Sequence, residues 1–385
     1  MEDFHNILIL MVVVWVMGKI FRYLTLPVIF GELIGGIIVG PMVLGLVDPD
    51  SSIINILAQL GIFFLMLHAG IETNPNTLLK GSKKSVLIAL GGITIPFFVG
   101  FLTADAFGFS LYESLFIATS VSVTAIVISV RMLKDYKLKN TKFGHTIMSA
   151  ALISDIVILV LFSIILLLVE NGSVNPSAVI FMLGKILLFF GIVIWAGKKL
   201  HKYASRLFEN KGFTLTLVLA LFLGYVAEWI GLHVIIGAFM AGLFISEELI
   251  GTKIYTKIED RIYGLSYGFL GPIFFTSLAF NLDFKGFIDR PELFLSFLAI
   301  AFIGKLMGAG GGALIQGIPK LRSFMIGVAM NSKGSVGLII MTVGVQMGII
   351  EKDIFSVLIT VAFASTLITI LLLKPLREKA IRKRL

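Results

Sequence analysis

Apolar residues run in blocks of roughly 20 along most of the chain, and short clusters of charge, glycine or proline separate them. A block of that length crosses the hydrocarbon core of a bilayer as an α-helix. The pattern predicts thirteen spans, at about 4–20, 27–46, 51–70, 85–107, 113–131, 143–169, 176–200, 212–229, 231–248, 264–281, 292–318, 323–349 and 354–374. The fold class that follows is an all-α polytopic membrane protein. The shortest break, Glu228-Trp229-Ile230-Gly231, separates spans 8 and 9.

The basic residues test this count independently. Assigning loops alternately to two sides puts 26 of the 32 Lys and Arg on one side, in every second loop and in the tail. The other side receives only Lys285, Arg290 and Lys352, and Lys185, Lys305 and Lys333 fall inside spans. A missed or invented span would mix the two sides. The positive-inside rule therefore predicts a cytoplasmic C-terminus and an outside N-terminus. It also disposes of nucleic acid as the reason for the net charge of +9. Only 14% of residues are charged and the mean hydropathy is +1.01; soluble domains are about one quarter charged. Cysteine is absent, which excludes disulfide and thiol chemistry. The opening MEDFHN is acidic, unlike a cleaved signal peptide, so the first span is expected to be retained.

Two stretches repeat. PVIFGELIGGII (27–38) lies over HVIIGAFMAGLF (233–244), matching Val28, Ile29, Gly31 and Gly36 to Val234, Ile235, Gly237 and Gly242. LGIFFLMLHA from Leu60 lies over LGPIFFTSLA from Leu270 with one inserted residue. Both pairs are seven spans apart, an odd number, so the copies cross the membrane in opposite directions. Inverted repeats are a transporter signature, with the substrate site near mid-membrane at discontinuous helices. The glycines also have a plain packing role, because small residues let membrane helices approach closely.

Against this apolar background a few polar groups stand at mid-depth. Asp155 lies at the centre of span 6, in ALISDIVILV (150–159). An ionisable residue there is expensive to insert and points to function. Lys305 lies at the centre of span 11, too deep to snorkel easily, and Asp155 is the deep acid expected to partner it. In span 12, Asn331, Ser332, Lys333 and Gly334 interrupt an apolar run and predict local unwinding, tolerated where the backbone lines a cavity or is buried in protein. Span 5 carries Thr119, Ser120, Ser122 and Thr124, whose oxygens suit a small hard cation; for any single one a hydrogen bond to a neighbouring turn or helix is the better explanation, and the cluster says more than any member. Spans 5 and 12 are again seven apart, so their interruptions are candidates to face each other. Lys185 is expected to reach the far interface, Glu32 reads as an interfacial acid, and His68 and His233 read as packing or hydrogen-bonding groups. There is no metal-ligand spacing, phosphate-binding glycine loop or nucleophile–His–Asp set. An intramembrane aspartyl protease needs two deep acids and one is present, so the chain is not read as an enzyme.

RYLTLPVIFGELIGGIIVGPMVLG, LGIFFLMLHAGIE, GAFMAGL, PIFFTSLAFNLD and MNSKGSVGLI resemble, in order and across the whole chain, the cation:proton antiporter-2 family. This family holds Na⁺/H⁺ antiporters and the membrane domains of Kef-type K⁺/H⁺ exchangers. The resemblance implies an NhaA-like antiporter fold of thirteen helices, in two inverted six-helix repeats around linker helix 7, with helices 5 and 12 unwound and crossed. The domains would be 1–175, the linker and basic loop 176–211, 212–375, and a short cytoplasmic tail 376–385. Helices 4–6 and 11–13 would form a mobile core, and helices 1–3 and 8–10 a dimerising scaffold. The family's ion-binding aspartate matches Asp155 and its buried lysine matches Lys305. Electrogenic members carry two consecutive acids in helix 6, whereas here the first position is Ser154.

The expected function is secondary Na⁺/H⁺ antiport, electroneutral at 1:1, at the plasma membrane of a homodimer. Na⁺ (or Li⁺ or K⁺) and H⁺ would compete for Asp155, with Ser154, Thr124 and Ser122 as further oxygen ligands and no cofactor. Lys305, which lacks its usual partner acid, is expected to bond Asp155 or Ser154 directly. Asn331 and Lys333 would neutralise helix ends at the crossover. The alternatives are a Kef-type K⁺/H⁺ antiporter without its regulatory domain, and a Na⁺-coupled organic-anion symporter of similar fold, which would need a wider polar cavity. An ion channel is a further rival, separable by its conductance.

Overall fold

The computed structural model describes residues 2–24, 26–49, 51–72, 83–124, 141–171, 176–245, 247–282 and 289–382, with the single positions 129, 133 and 138. Lys80, Arg131, Lys134, Lys137, Lys139, Lys285, Lys383 and Arg384 lie outside them, as does most of span 5 beyond Thr124. Among the described residues the regular structure is entirely helical. In chain order the main helices are α1 (Glu2–Tyr23), α2 (Val28–Val39), α3 (Ser52–Glu72), α4 (Lys83–Ala106), α5 (Leu111–Ser122), α6 (Lys142–Asn171), α7 (Pro176–Trp229) and α8 (Val234–Phe244). There follow α9 (Thr252–Leu265), α10 (Gly271–Leu278), α11 (Pro291–Lys305), α12 (Gly311–Ile315), α13 (Lys320–Ala329), α14 (Ser335–Gln346) and α15 (Lys352–Arg382). Seven stretches among them are long and apolar enough to cross a membrane. This is a multi-span membrane protein, and large side chains such as Trp15, Phe222 and Trp229 stand exposed on its surface, as lipid contact requires.

The differences from the predicted spans have local causes. Span 2 was expected to reach residue 46, but α2 stops at Val39. Pro41 cannot extend the helix and holds Gly40 in an extended conformation (φ −73°, ψ −178°). Spans 7 and 8 are two helices, as expected, but they meet at a kink, Lys211 (φ −130°, ψ 35°), with no loop between them. Residues 201–210 contain neither Gly nor Pro, so nothing stops the helix as it leaves the predicted span. The break between spans 8 and 9 falls where expected, at Gly231 (φ +84°). Span 10 begins early: the amphipathic α9 runs into α10 through a π-turn, Ser266–Leu270.

The chain groups into two compact units, Met1–Pro75 with Leu166–Asn281, and Asn76–Ile165 with Leu282–Leu385. In the first, the repeated glycines do matching work. A Cβ on Gly31 would lie 2.9 Å from the Phe21 ring of α1, and one on its counterpart Gly237 would lie 2.5 Å from Gly224 Cα, in the second half of α7. A Cβ on Gly36 would run into the Thr276 carbonyl of α10, and one on Gly242 would lie 2.7 Å from Gly70 Cα of α3. Exchanging span 1 for span 8 and span 3 for span 10 turns one set of contacts into the other. This is the geometry the inverted repeat calls for.

Two polar ties complete this unit. Lys185 Nζ donates to Ile230 O (3.0 Å) and lies 5.0 Å from the Phe181 ring centroid. His68, fully buried in α3, lies near Glu72 (Nδ1–Oε2 3.7 Å) and Glu259 of α9 (Nε2–Oε1 3.5 Å) without a hydrogen bond from either ring nitrogen, so the second tie is made by its aromatic neighbours and by Tyr255. The rings of Tyr263 and Tyr267 flank it. Tyr255 of α9 donates to Ile71 O (3.2 Å), and burial together with nearby Glu259, Glu72 and Glu247 pushes its hydroxyl up to about 12, so it stays a donor. These contacts hold α9 on α3.

The second unit has a core of small and branched residues, among them Ile88, Ala89, Ala150, Ala151, Ala309, Ala313 and Ala329. Pro96 lies inside α4, and Gly304 fits against it: a Cβ there would lie 2.9 Å from Pro96 Cβ. Lys305, the next residue, ends α11, and a π-turn (Leu306–Gly310) follows at once.

Gly36→Val and Gly242→Val are each expected to destabilise the protein by about 1–3 kcal/mol, because the neighbour that must move is backbone. Gly184→Val, where an added Cβ meets nothing within 4 Å, should be neutral. Thermal unfolding in detergent checks this order; equal midpoints for all three variants contradict it.

Candidate functional site

The site grows out of two broken helices in the second unit. α5 starts with a capping box: Glu113 N donates to Ser110 Oγ (3.4 Å) and Ser110 N donates to Glu113 Oε2 (2.9 Å). Its last turns are rich in hydroxyls that bond the preceding turn. Thr119 donates to Leu115 O (2.7 Å), Ser120 to Phe116 O (2.7 Å) and Ser122 to Ala118 O (2.6 Å). Such back-bonding weakens and bends helices, and here Val123 turns extended (φ −59°, ψ 146°). α13 ends at Ala329, the backbone from Met330 to Gly334 is not helical, and α14 begins at Ser335. Both predicted interruptions are therefore present.

They also meet. Thr124 Oγ1 donates to Met330 O (3.0 Å), and the hydroxyls of Ser129 and Ser332 bond each other (2.9 Å). Lys333 Nζ donates to Val121 O and to Val123 O (2.8 Å), the carbonyl end of α5. A lysine at the negative end of a helix dipole satisfies carbonyls that the helix leaves open. α15 supports the crossing: Lys333 N donates to Thr366 Oγ1 (2.9 Å), and Thr369 Oγ1 donates to Val328 O (3.3 Å). Sequence reasoning missed Thr366 and Thr369. Their signal was the run Ser365-Thr366 followed by Thr369 inside an otherwise apolar span.

Lys305 is fully buried, and its Nζ donates to Ser122 O in a short contact and to Thr124 Oγ1 (2.7 Å). The expected bond to Asp155 or Ser154 is not made. The broken end of α5 offers a free carbonyl and a hydroxyl, and an ammonium with three donors takes them. Asp155, 6% exposed, still interacts with Lys305 through its charge. Among the described residues, Ser154 Oγ and Asp155 Oδ1 are buried without a hydrogen bond, and so are both polar side-chain atoms of Asn331. Asn331 therefore does not neutralise a helix end, whereas Lys333 does. Ser122 offers the site its carbonyl, since its hydroxyl is bonded within α5. Thr124 Oγ1 already serves as donor to Met330 and acceptor from Lys305. Glu32, in α2, and His68 belong to the first unit.

The ensemble is one carboxylate, two ammonium groups, and several hydroxyl and carbonyl oxygens in a nearly dry setting. Oxygen ligands of this kind suit hard cations, and a lone buried carboxylate needs a proton or a cation to neutralise it. Residues 7–379 match the family described as "Sodium/hydrogen exchanger, transmembrane". The chain belongs to the sodium/hydrogen exchanger family.

Relatives of this exchanger run its full length. It is 32% identical to the Na⁺/H⁺ antiporter of Enterococcus hirae, over 98% of this chain and 99% of that one. It is 30% identical to the Na⁺/H⁺-K⁺ antiporter GerN of Bacillus cereus, over 97% and 96%. The exchanger also shares the fold of the sodium proton antiporter MjNhaP1 from Methanocaldococcus jannaschii, with a TM-score of 0.77 over 97% of this chain and 96% of that one, at 19% identity. The family agrees with the antiporter resemblance of the motifs.

Lys333→Met keeps the length of the side chain but leaves the Val121 and Val123 carbonyls without their donor. Leaving a buried acceptor unsatisfied costs about 1–3 kcal/mol, so a lower unfolding midpoint in detergent is expected. A wild-type midpoint shows that the lysine does not hold the crossing.

Proposed function

We propose that the protein is a secondary Na⁺/H⁺ antiporter in which the cation and the proton take turns on Asp155. The observation that carries this reading is the state of that carboxylate: buried, with Oδ1 lacking any hydrogen-bond partner. A protein that left this oxygen empty in every state would bear the full penalty of a dry charge. A proton or a desolvated cation removes it.

Lys305 gives the competition a mechanism. With no cation bound, its ammonium occupies Ser122 O and Thr124 Oγ1 and compensates the Asp155 charge. An arriving Na⁺ is drawn to Asp155 Oδ1 and Ser154 Oγ and repels the ammonium. Retreat of Lys305 frees the Thr124 hydroxyl and the Ser122 carbonyl as further ligands. Protonation of Asp155 removes the charge that attracts the cation and releases it. Coupling follows if the site changes sides only when Asp155 is neutralised, by H⁺ or by Na⁺, because occupancy then biases the populations of the two states.

One titrating carboxylate, with Ser154 in place of a second acid, gives an exchange of one Na⁺ for one H⁺ and no net charge movement. K⁺ is the second reading of the cargo, favoured by the similarity to GerN, whose name includes it. The repeats would be 1–175 and 212–375 around the linker 176–211, with the tail 376–385. The plasma membrane, an outside N-terminus and a homodimer complete the proposal. Lys19 over Trp15 (5.5 Å) and Lys199 over Trp195 (4.8 Å) support the orientation. In both pairs a cation and an interfacial aromatic sit at the predicted cytoplasmic end of a span.

Exchange in proteoliposomes, followed with an entrapped pH dye and driven by Na⁺, Li⁺ or K⁺, tests the reading. Asp155→Asn should abolish exchange while the protein still folds; exchange at wild-type rate by this variant contradicts the proposal. The wild-type rate should not respond to an imposed voltage, and a voltage-dependent rate contradicts the 1:1 stoichiometry. Lys305→Ala should shift the pH profile of exchange; an unchanged profile removes the lysine from the mechanism.

A further inference from the structure

We propose that Asn331 is a ligand of the transported cation and helps to set which cation is taken. This rests on the reading of Asp155 as the shared cation and proton site. Among the described residues of the second unit, the buried side-chain nitrogen and oxygen atoms without a hydrogen bond belong to three residues: Ser154, Asp155 and Asn331. Two of these are the residues to which the cation is assigned, and Asn331 shares their state.

The surroundings make that state pointed. An amide carries two N–H donors and an oxygen with two lone pairs, and Asn331 is fully buried. Buried polar side chains are nearly always bonded, and an exception calls for an explanation, a bound ion being one. The crossing around Asn331 is otherwise well paired. Ser332 bonds Ser129, Lys333 bonds Val121 O and Val123 O, and Thr366 bonds the Lys333 backbone. The Asn331 backbone is also fixed, since its N–H donates to Val328 O (3.1 Å). The preceding residue, Met330, accepts the Thr124 hydroxyl, and that hydroxyl accepts Lys305. Asn331 is thus one residue along the chain from the contact that the cation must disturb.

Chemistry suits the assignment. Even with the Thr124 hydroxyl and the Ser122 carbonyl added to Asp155 and Ser154, the shell is thin for a cation stripped of water. An amide oxygen adds a hard ligand, and because it is neutral it adds no titrating charge, so the exchange of one cation for one proton is preserved. An oxygen fixed by a rigid crossing also fixes a metal–oxygen distance, and cations of different radius feel that distance differently.

The test reconstitutes full-length Asn331→Ala, Asn331→Asp and Asp155→Asn beside the wild type and measures apparent KM for Na⁺ and Li⁺. Loss of one ligand to a charged group is expected to raise the KM of Asn331→Ala for Na⁺ roughly tenfold. The ratio of the Na⁺ and Li⁺ values should change by roughly threefold or more. Asn331→Asp, which keeps a ligating oxygen, should recover much of the Na⁺ affinity. A merely structural asparagine raises both values by the same factor and is not rescued by aspartate, and that result overturns the proposal. So do wild-type KM values for both cations. If Asn331→Ala fails to fold, Asn331→Ser removes the amide while leaving a hydroxyl; the same split supports the proposal and wild-type values overturn it. An active Asp155→Asn brings down the shared-site reading itself, whereas an inactive Asp155→Asn beside a wild-type Asn331→Ala brings down this inference alone.

Discussion

A helix that stops in the middle of a bilayer leaves carbonyls that neither water nor a following turn can satisfy. At the end of α5 two lysines take this role. Lys333 holds the carbonyls of Val121 and Val123, and Lys305 holds that of Ser122. Because Lys305 is held there, it does not bond Asp155, and the carboxylate keeps an oxygen open. The break in α5 thus seats the ammonium, and in the proposed mechanism the open carboxylate oxygen is what an incoming cation meets. If α5 ran straight through, neither lysine would have a reason to be where it is.

The architecture serves that arrangement. α11 lies against the kinked α4 at the contact of Gly304 with Pro96, which fixes the depth of Lys305. The π-turn begins directly after it, a local departure from regular helix of the kind that often accompanies function. α15 ties the crossing through Thr366 and Thr369. In the first unit, the paired contacts of Gly31 with Gly237 and of Gly36 with Gly242 show one packing scheme used twice. Close approach of backbones is what membrane helices exploit when lipid offers no hydrophobic drive for association.

Much of this was legible in the sequence. Apolar blocks and the one-sided distribution of Lys and Arg located the spans, since bilayer thickness and topology leave little freedom. Asn331 to Gly334 announced the break in span 12, because four such residues cannot all be accommodated inside a regular apolar helix. The glycine alignment pointed to the contacts that the structure displays. Other features were not readable. One of the two partners of Lys305 lies 183 residues away in the chain and is a backbone carbonyl, which no side-chain pattern encodes. The hydroxyls of Thr119, Ser120, Ser122 and Thr124 looked like one ligand cluster, yet the first three bond their own helix and, of these four, Thr124 alone faces the crossing. The run of span 7 on to the kink at Lys211 and the early stop of α2 were decided by a few residues of loop.

The central claim is that proton and cation exclude each other on Asp155, and calorimetric titration of the purified protein with Na⁺ tests it most directly. Repeating the titration in buffers of different ionisation enthalpy counts the protons released on binding. Over the pH range in which Asp155 is protonated without cation, release should approach one proton per Na⁺, and within that range the apparent Kd should rise about tenfold for each unit that the pH falls. Na⁺ binding with no proton release and a Kd independent of pH contradicts the account.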